Sequence, residues 1–480
     1  MKNLFYLFSE KCFNLIITIR LFTLSKKFVI STIVFLLFVT QPSCNTTEPP
    51  PAETKPILNL ALEDASCTEA WLQLTTKDLE LPAQLTLKQY NPAGDSISQI
   101  FLLNTQDSLL YIDSLLPNQT YSFQVSSILN PASGNQYQVS PEGTSSNKVT
   151  ATTLDTTSHN FTFTSWTFGT VGSSVLYDVA IINENNIWAV GEIMIADTSQ
   201  NGYTIYNALH WDGGEWELLR IPNYDYPNAL IYGALQTIFA FSENDVWFCS
   251  YSNLVHYDGN SFTSKAQFMT SINFTGQVTK MWGTDKNNIY CVGRNGAIYH
   301  YNGTNWQRIE SGTSLNINDI WGDYNEKTQK WEVLAVCGNI LQGWEEDRAI
   351  IRIDNINQAE QLNAVGSKWP LSGIWFKSRI KYYVIGSGIY QTNQLGETWR
   401  GNPLDFTTYF VNRIRADEIN DVIIVGAYGE TLHFNGVNWK SFFNETYISN
   451  GAYLSVAIKN NLIIAVGYQS AQAVLTVGQR

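Results

Sequence analysis

The sequence predicts an all-β protein in which a seven-bladed β-propeller follows a smaller all-β domain. The first observation behind this prediction is a recurring phrase, His-aromatic-Asp/Asn-Gly, which begins at His210, His256, His300 and His433. Its first two intervals are about 44 residues and its last is about three times that length, which is the period of a repeat architecture. The second observation is that helical periodicity is nearly absent after residue 43, whereas β-branched and aromatic runs between turn signals are frequent.

Residues 1–43 are predicted to be an export signal of the lipoprotein type. Two lysines precede the apolar stretch 28–39, which is too short to span a bilayer and fits a signal peptide. The end of the segment resembles a bacterial lipobox, which implies lipidation of Cys44, although Gln41 departs from the usual small or aliphatic residue. We therefore expect an exported protein anchored at the outer membrane or cell surface, with secretion as the alternative.

Two segments separate this signal from the repeats. Residues 44–55 are rich in proline and are predicted to be an extended tether. Residues 56–155 contain strand-like runs, and Leu115, Pro117 and Tyr121 match the pattern Leu-x-Pro-x-x-x-Tyr of fibronectin type III domains, which this segment resembles. The resemblance implies a β-sandwich in which the Tyr121 hydroxyl bonds to nearby backbone. It also implies a spacer or adhesive role.

Residues 156–480 hold the repeats. Each unit has an alternating stretch, a polar turn, a fully apolar run closing on glycine, the histidine phrase and a trailing strand, which is the pattern of a four-stranded propeller blade. Counting the closing positions gives seven blades. The Asp/Asn-Gly pairs predict type I′ hairpins. The seventh blade ends after its third strand, so we expect residues 160–166 to supply its fourth and close the ring.

One hairpin carries a family resemblance. The stretch 392–399 is similar to the Asp-box Ser-x-Asp-x-Gly-x-Thr-Trp, with Gln394 in the place of aspartate. Over roughly residues 160–480 the chain resembles Asp-box (BNR-like) propellers, which include sialidases, sortilin-like receptors and photosystem assembly factors. The resemblance implies an architecture and not an activity, because function resides in sites that vary within a fold.

The repeated histidines are predicted to be structural. A metal site needs several ligands within a few ångströms, whereas repeat-equivalent positions lie around a ring. We expect the histidines to bond to blade backbone, with His300 opposite Asn305 and Tyr299 opposite Trp306. No metal and no cofactor is expected.

Cysteine content and charge limit the remaining possibilities. Cys249, Cys291 and Cys337 fall in equivalent strands of different blades, so we expect unpaired core residues, since a disulfide needs Cα atoms within about 7 Å. The net charge of −13 argues against nucleic acid or anionic membrane as the main partner. Membrane contact is expected only through the lipid anchor, and a monomer is expected.

No catalytic set emerges from the sequence. The tripeptide Arg220-Ile221-Pro222 matches one found in sialidases, but it follows the outer strand of blade one rather than lying near the axis. A sialidase would need three converging arginines and a Tyr/Glu pair, and the other candidate arginines are predicted to be scattered: Arg294, Arg352, Arg400, Arg413 and Arg415. A divergent Asp-box glycoside hydrolase is therefore one alternative function, and an assembly factor for another envelope protein is a second.

The candidate ligand site is a rim of inserted residues. The loops 192–202 and 339–348 and the link 221–233 are long, and propeller connectivity places all three on one face, where binding residues often lie. The predicted rim comprises Tyr203, Tyr224, Tyr226, Trp344, Glu345, Glu346 and Asp347. The predicted function is a cell-surface lipoprotein whose propeller binds a protein or glycan without catalysis.

Overall fold

A computed structural model describes residues 55–127, 144–225, 229–251, 253–264, 277–341, 347–355, 358–401 and 405–480. The contacts of these residues group them into one compact unit, Lys55–Arg480. The predicted signal segment, Cys44 and most of the tether lie outside the described residues. Among the residues described, no helix is long and apolar enough to cross a membrane.

The N-terminal part of this unit is a fibronectin-like pair of β-sheets. Its strands are β1 (Ile57–Ala65), β2 (Ala70–Lys77), β3 (Ala83–Tyr90), β4 (Ser96–Leu103), β5 (Asp107–Ile112), β6 (Thr120–Ser127) and β7 (Val149–Thr152). One sheet has the order β1-β2-β5 and the other β4-β3-β6-β7. Alternate residues of β6 are buried, as expected for a strand with one face on a core. The Tyr121 hydroxyl accepts a hydrogen bond from the Leu116 amide at 3.0 Å, which is the bond predicted for this tyrosine.

Seven antiparallel sheets follow in the described part of the chain, and we call them blades one to seven. The strands of blades one to three, with the preceding strand β8, are β8 (Thr162–Phe168), β9 (Val175–Asn183), β10 (Asn186–Ala196), β11 (Tyr203–Trp211), β12 (Trp216–Leu219), β13 (Asn223–Asp225), β14 (Ala229–Ile231), β15 (Thr237–Ser242), β16 (Asp245–Ser250), β17 (Asn253–Tyr257), β18 (Phe262–Ser264), β19 (Val278–Asp285), β20 (Asn288–Gly293), β21 (Ala297–Tyr301) and β22 (Trp306–Glu310). The strands β13 and β14 form a separate hairpin between blades one and two.

Blades four to seven contain β23 (Ile317–Asn325), β24 (Lys330–Gly338), β25 (Arg348–Asn355), β26 (Gln358–Leu362), β27 (Gly373–Lys377), β28 (Lys381–Ile385), β29 (Ile389–Thr392), β30 (Val411–Glu418), β31 (Asp421–Gly426), β32 (Thr431–Phe434), β33 (Trp439–Ser441), β34 (Gly451–Lys459), β35 (Leu462–Gln469) and β36 (Gln472–Gln479). A single helical turn, α1 (Phe443–Thr446), lies between blades six and seven. Blade five has three strands and an added bridge between Gln391 and Arg400, and blade seven is completed by β8.

The blades form a β-propeller. The first strand of each blade contacts the first strand of the next, and β34 of blade seven contacts β9 of blade one, so the inner strands form a closed cycle. As the sequence predicts, a strand that precedes blade one supplies the missing outer strand of blade seven, with Ser165 of β8 opposite Thr476 of β36. The ring is therefore closed by two segments that are far apart in sequence.

The second strand of a blade is apolar on both sides because it packs between neighbouring blades. In β31, Val422 and Ile424 belong to a core cluster shared with blade five. Ile423 and Val425, which point the other way, belong to a cluster shared with blade seven. This explains the fully apolar runs of the repeat, since a strand buried on both faces does not alternate with polar residues.

The hairpin turns differ from the predicted type I′. In blade two, the Asp258 amide donates to the Ser261 carbonyl at 3.3 Å, which leaves Gly259 and Asn260 as the two central residues. Positive φ falls on Gly259 alone, as in a type II′ turn, whose first central residue is glycine. Oδ1 of Asp258 also accepts hydrogen bonds from the amides of Asn260 and Ser261, at 2.9 and 2.8 Å. This aspartate bonding explains the Asp/Asn of the repeated phrase.

Candidate functional site

The ring has two faces, which we name by their connections. The hairpin face carries the hairpins that join strands one to two and three to four of each blade. The loop face carries the loops between strands two and three and the links to the next blade. A cavity of about 910 Å³ opens at the mouth of the ring on the loop face. Its polar lining consists mainly of amides and hydroxyls: Thr279, Asn295, Ser314, Asn316, Asn318, Asn339 and Asn412.

Several of these side chains bind the next blade. Thr279, Asn318 and Asn412 occupy bulges near the start of an inner strand, and each donates to a carbonyl at the start of the next blade. Ser372, just before β27, makes the same kind of bond. The bonds are Thr279 Oγ1 to Ile317 O at 2.6 Å, Asn318 Nδ2 to Leu371 O at 2.7 Å, Ser372 Oγ to Val411 O at 2.6 Å and Asn412 Nδ2 to Tyr453 O at 2.7 Å. The sequence signal was present, because a polar residue follows the first apolar residue of β19, β23 and β30. These residues hold the cavity mouth in shape.

Below the mouth, a buried carboxylate joins four blades. Asp178 of blade one is 1% exposed, and the Lys280 ammonium of blade three lies 2.6 Å from both its oxygens. The hydroxyls of Thr237 and Ser455 each donate to it at 2.7 Å. Burial alone would raise the pKa of Asp178, but Lys280 and Arg413 lower it to about 2. Burial lowers the pKa of Lys280 to about 8, and Asp178 opposes that change.

A second buried carboxylate joins blades four, five and six. Asp319 accepts two hydrogen bonds from the Arg415 guanidinium, at 2.8 and 2.9 Å, and its Oδ1 lies 2.6 Å from Arg413. The Ile374 amide donates to it at 3.1 Å. Burial would raise the pKa of Asp319, but the two guanidinium groups lower it below its ordinary value. Two aspartates and three cations therefore lie at the axis and pair with one another.

The prediction of scattered arginines is partly wrong. Arg413 and Arg415 are two residues apart on β30, so alternation puts both on the same side, toward the axis. Both pair with Asp319, so neither guanidinium is left to bind a sugar carboxylate. The structure places Arg220 on the outside of blade one, as predicted, where its Nε donates to Ile205 O and its guanidinium lies 3.9 Å from the Tyr232 ring centre.

Two of the other candidate arginines, Arg352 and Arg400, meet a further one, Arg379, in a groove between the fibronectin-like sheets and blades four and five. Arg352, Arg379 and Arg400 line this cavity of about 780 Å³, together with Tyr111 and Glu69, whose side chains are 2.6 Å apart. Arg379 pairs with Glu63 and Arg352 with Glu360. The groove thus holds three arginines and a Tyr/Glu pair, which are the residue types that the hydrolase alternative requires. It lies away from the axis, however, and two of its guanidinium groups are already paired.

The repeated histidines bind side chains and not backbone, so that part of the prediction is wrong. Nε2 of His300 lies 2.7 Å from Oδ1 of Asn288, at the start of the second strand, and its ring lies 4.4 Å from that of Tyr290. The same bond joins His210 to Asn186 at 3.1 Å, His256 to Asp245 at 2.8 Å and His433 to Asp421 at 2.8 Å. Their structural role is confirmed by these contacts within single blades.

The predicted register of the third blade's hairpin is also wrong. His300 lies opposite Gln307, and Tyr301, not Tyr299, lies opposite Trp306. The type II′ turn sets this register, because it places Asn302 opposite Asn305. Among the residues described, no group of three or more His, Cys, Asp or Glu side chains could hold a metal ion. Cys249, Cys291 and Cys337 are buried and unpaired, as predicted.

The predicted rim residues fall in two groups. Tyr226, Trp344, Glu345 and Glu346 lie outside the described residues, as does the side chain of Tyr224, whose backbone pairs with Leu230 in the β13–β14 hairpin. Tyr203 and Asp347 are described, in blades one and four, which do not adjoin. The predicted loop 192–202 is mostly a longer hairpin, since β10 continues to Ala196 and Tyr203 pairs with that residue.

The loop face exposes a ladder of aromatic rings that the sequence reading missed. Tyr428, in the loop of blade six, lies 5.4 Å from Tyr409, which stacks on Phe443 at 4.8 Å. Phe443 lies 5.4 Å from Tyr447 in the link to blade seven. Tyr428 is 45% exposed and Tyr447 57%. Other exposed apolar side chains in these connections are Tyr251, Ile340, Leu341 and Trp369.

The hairpin face is occupied on one side by the fibronectin-like sheets. Trp71 of β2 is 1% exposed and packs in one core cluster with Trp375 and Tyr383 of blade five. Around it, acidic residues of the sheets meet basic residues of blades four and five. The ion pairs are Asp64–Lys377 at 2.8 Å, Glu69–Lys381 at 2.6 Å, Asp107–Lys327 at 2.5 Å and Glu63–Arg379. The predicted spacer is thus docked on the ring.

Comparison with known proteins adds little to this picture. The sequence matches no protein-family profile and none of the curated proteins. Among solved structures, the WD40 β-propeller domain of Doa1 shows 10% identity and a TM-score of 0.43, over 67% of this chain and 98% of its own. A two-domain fibronectin type III segment of chicken tenascin shows 14% identity and a TM-score of 0.16, over 44% and 97%. At these scores the similarity says nothing about activity.

Proposed function

We propose that this protein is an exported lipoprotein whose seven-bladed propeller binds a protein or glycan through its loop face, without catalysis. The fibronectin-like sheets form a fibronectin type III domain that orients the ring. The observation that carries the proposal is the aromatic ladder of Tyr409, Tyr428, Phe443 and Tyr447, beside the amide-lined cavity mouth. Exposed aromatic rings of this kind are typical of binding surfaces.

The division of the two faces supports this assignment. Part of the hairpin face is covered by the docked domain, whereas exposed apolar side chains such as Leu341, at 95%, lie in loop-face connections. Exposed apolar groups favour a protein partner over a sugar, because burying them on binding removes apolar surface from water. The axis supports a role without catalysis, since its aspartates and cations are engaged with one another.

The test is affinity capture from an envelope extract with residues 55–480 as bait. Baits carrying Tyr428→Ala with Tyr447→Ala, or Leu341→Ser, are compared with wild type. Trp331→Ala, an exposed tryptophan on the hairpin face, is the matched control. We expect one stoichiometric partner that the control retains and the loop-face variants lose.

Equal capture by all baits would contradict the proposal. A parallel screen with fluorogenic glycosides tests the hydrolase alternative. If a glycoside is hydrolysed, the groove lined by Arg400 is the candidate active site to mutate. A partner that requires this protein to reach its own folded state would favour the assembly-factor alternative.

A further inference from the structure

The boundary between blades seven and one differs from those between blades one and two and between blades two and three. In blades two and three an aromatic pair flanks the outer hairpin, and an aromatic residue of the preceding blade covers it. Trp188 of blade one contacts Tyr257 and Phe262 of blade two, at 5.7 and 6.4 Å between ring centres. Trp247 of blade two contacts Tyr301 of blade three at 6.2 Å. These contacts fill the space between the blades.

At the boundary of blades seven and one, the covering aromatic is replaced by an aliphatic residue. The pair is Trp211 and Trp216, with ring centres 5.3 Å apart. The residue of blade seven three positions before the closing glycine, which is Trp188 in blade one, is Ile464. A cavity of about 680 Å³ remains between the two blades, and we call it the seam groove. Ile464 is fully buried in the cluster against which Trp211 and Trp216 pack, and the groove is lined by residues around that cluster.

The seam groove is open to solvent and has a third indole on its outer side. Trp166 of β8 lies 6.5 Å from Trp216 and is 36% exposed. The polar rim includes Asn183 and Glu184 from the first hairpin of blade one, Gln479 from the end of β36, and two cations, Lys459 and Arg480. The groove therefore combines aromatic faces with a carboxylate, which accepts hydrogen bonds, and amides, which both donate and accept them.

We propose that the seam groove binds a neutral oligosaccharide. The C–H faces of a sugar ring are apolar and pack on indole faces, and sugar hydroxyls can pair with carboxylates and amides alike. A proline-rich peptide also packs in aromatic grooves, but its prolines offer no donor for Glu184. An acidic sugar would place its charge near that carboxylate, whereas both cations of the rim are already engaged, Arg480 with Asp421 and Lys459 with the Ile182 carbonyl. This site is distinct from the loop-face site, because hairpins of the hairpin face line it.

The test is calorimetric titration of residues 55–480 with cellohexaose, xylohexaose, mannohexaose and chitohexaose, and with a decaproline peptide. Trp166→Ala removes the exposed indole, and Trp166→Phe keeps an aromatic face. Glu184→Ala tests the rim without touching the core, and Trp331→Ala is the control for an exposed tryptophan elsewhere. We expect at least one hexasaccharide to bind, with affinity falling about tenfold or more in Trp166→Ala and in Glu184→Ala. Trp166→Phe should lose about threefold or less, and Trp331→Ala nothing.

Three outcomes would overturn the proposal. The first is that no hexasaccharide binds. The second is that Trp331→Ala weakens hexasaccharide binding as much as Trp166→Ala does. The third is that only decaproline binds in a way that depends on Trp166. The Tyr428→Ala/Tyr447→Ala variant should bind the same hexasaccharide as wild type. Loss of sugar binding in that variant would place the sugar on the loop face instead.

Discussion

The hairpin face and the loop face of this ring are built from different kinds of residues. On the hairpin face the same contacts recur, such as the aspartate of the Asp258 turn and the histidine bond of His300. On the loop face the connections differ between blades: a two-residue loop joins β16 to β17, whereas residues 339–347 join β24 to β25. The repeated residues therefore stabilise the individual blades. We expect ligand-binding residues in the connections that differ from one blade to the next.

If this comparison holds, stability depends on the axis and the hairpin face and binding depends on the loop face. The largest effect is expected at the axis. Asp319→Asn leaves Arg415 buried without its counter-charge, which should lower the free energy of unfolding by about 3–5 kcal/mol. Urea unfolding of residues 55–480 measures it. The matched control is Asp258→Asn, with a change of about 0.5 kcal/mol or less, because Asn302 serves the same turn in blade three. Equal effects in both variants would contradict the comparison.

The next effect is expected where the two domains meet. Trp71→Ala removes the buried indole at the centre of the docked surface and should lower the unfolding free energy by about 3 kcal/mol. Differential scanning calorimetry should also resolve two transitions in this variant, since the docking no longer couples the domains. Leu116→Ala, at an exposed position of the same domain, is the control. A single unshifted transition for Trp71→Ala would show that the domain is not docked in solution.

A smaller effect on the free energy of unfolding is expected at low pH. The pKa of Asp178 is lowered from 3.8 to about 2, so its ionised form stabilises the fold above pH 4. That contribution, on the order of 2 kcal/mol, should be lost as pH falls from about 4 to about 2. Urea unfolding at a series of pH values measures the slope. Asp178→Asn should be less stable at neutral pH and should flatten this slope, and an unchanged slope would assign the acid sensitivity to other carboxylates.

The smallest effect on stability is expected on the loop face. Leu341→Ser changes a side chain that is 95% exposed, so the unfolding free energy should change by about 0.5 kcal/mol or less. Partner capture by the same variant should nevertheless fall. A loss of stability comparable to that of Trp71→Ala would show that the loop face also maintains the ring.

Features within a single repeat were predicted more accurately than contacts between residues of different blades. The runs of apolar residues and the turn glycines are local patterns with one physical interpretation each, and the strand that completes blade seven was predicted from the number of strands in each repeat. The predicted partner of His300 is wrong by two residues, Asn305 in place of Gln307, because the glycine was assigned to the wrong turn type. Lys280 and Asp178 are 102 residues apart, and only the closed ring brings them to one axis.

The candidate site was harder to predict for a related reason. The rim was predicted from the long loops near Tyr203 and Asp347. The aromatic ladder instead lies on a short loop and two links between blades, which loop length does not single out. Tyr428 and Tyr447 are unremarkable as single residues in sequence. Their proximity depends on how the link after blade six folds back on its loop, where the Ile448 amide donates to the Tyr428 carbonyl at 3.0 Å. No local pattern encodes that return.

The pairing of β8 with β36 has a consequence for how the chain reaches its native state. Ser165 and Thr476 are 311 residues apart, so pairing these strands is entropically costly until the intervening blades have folded and brought them together. Contacts of such separation slow folding, and both strands present unpaired edges in the meantime. Until closure, an intermediate would be open to pairing between molecules, and its yield on refolding should fall as protein concentration rises.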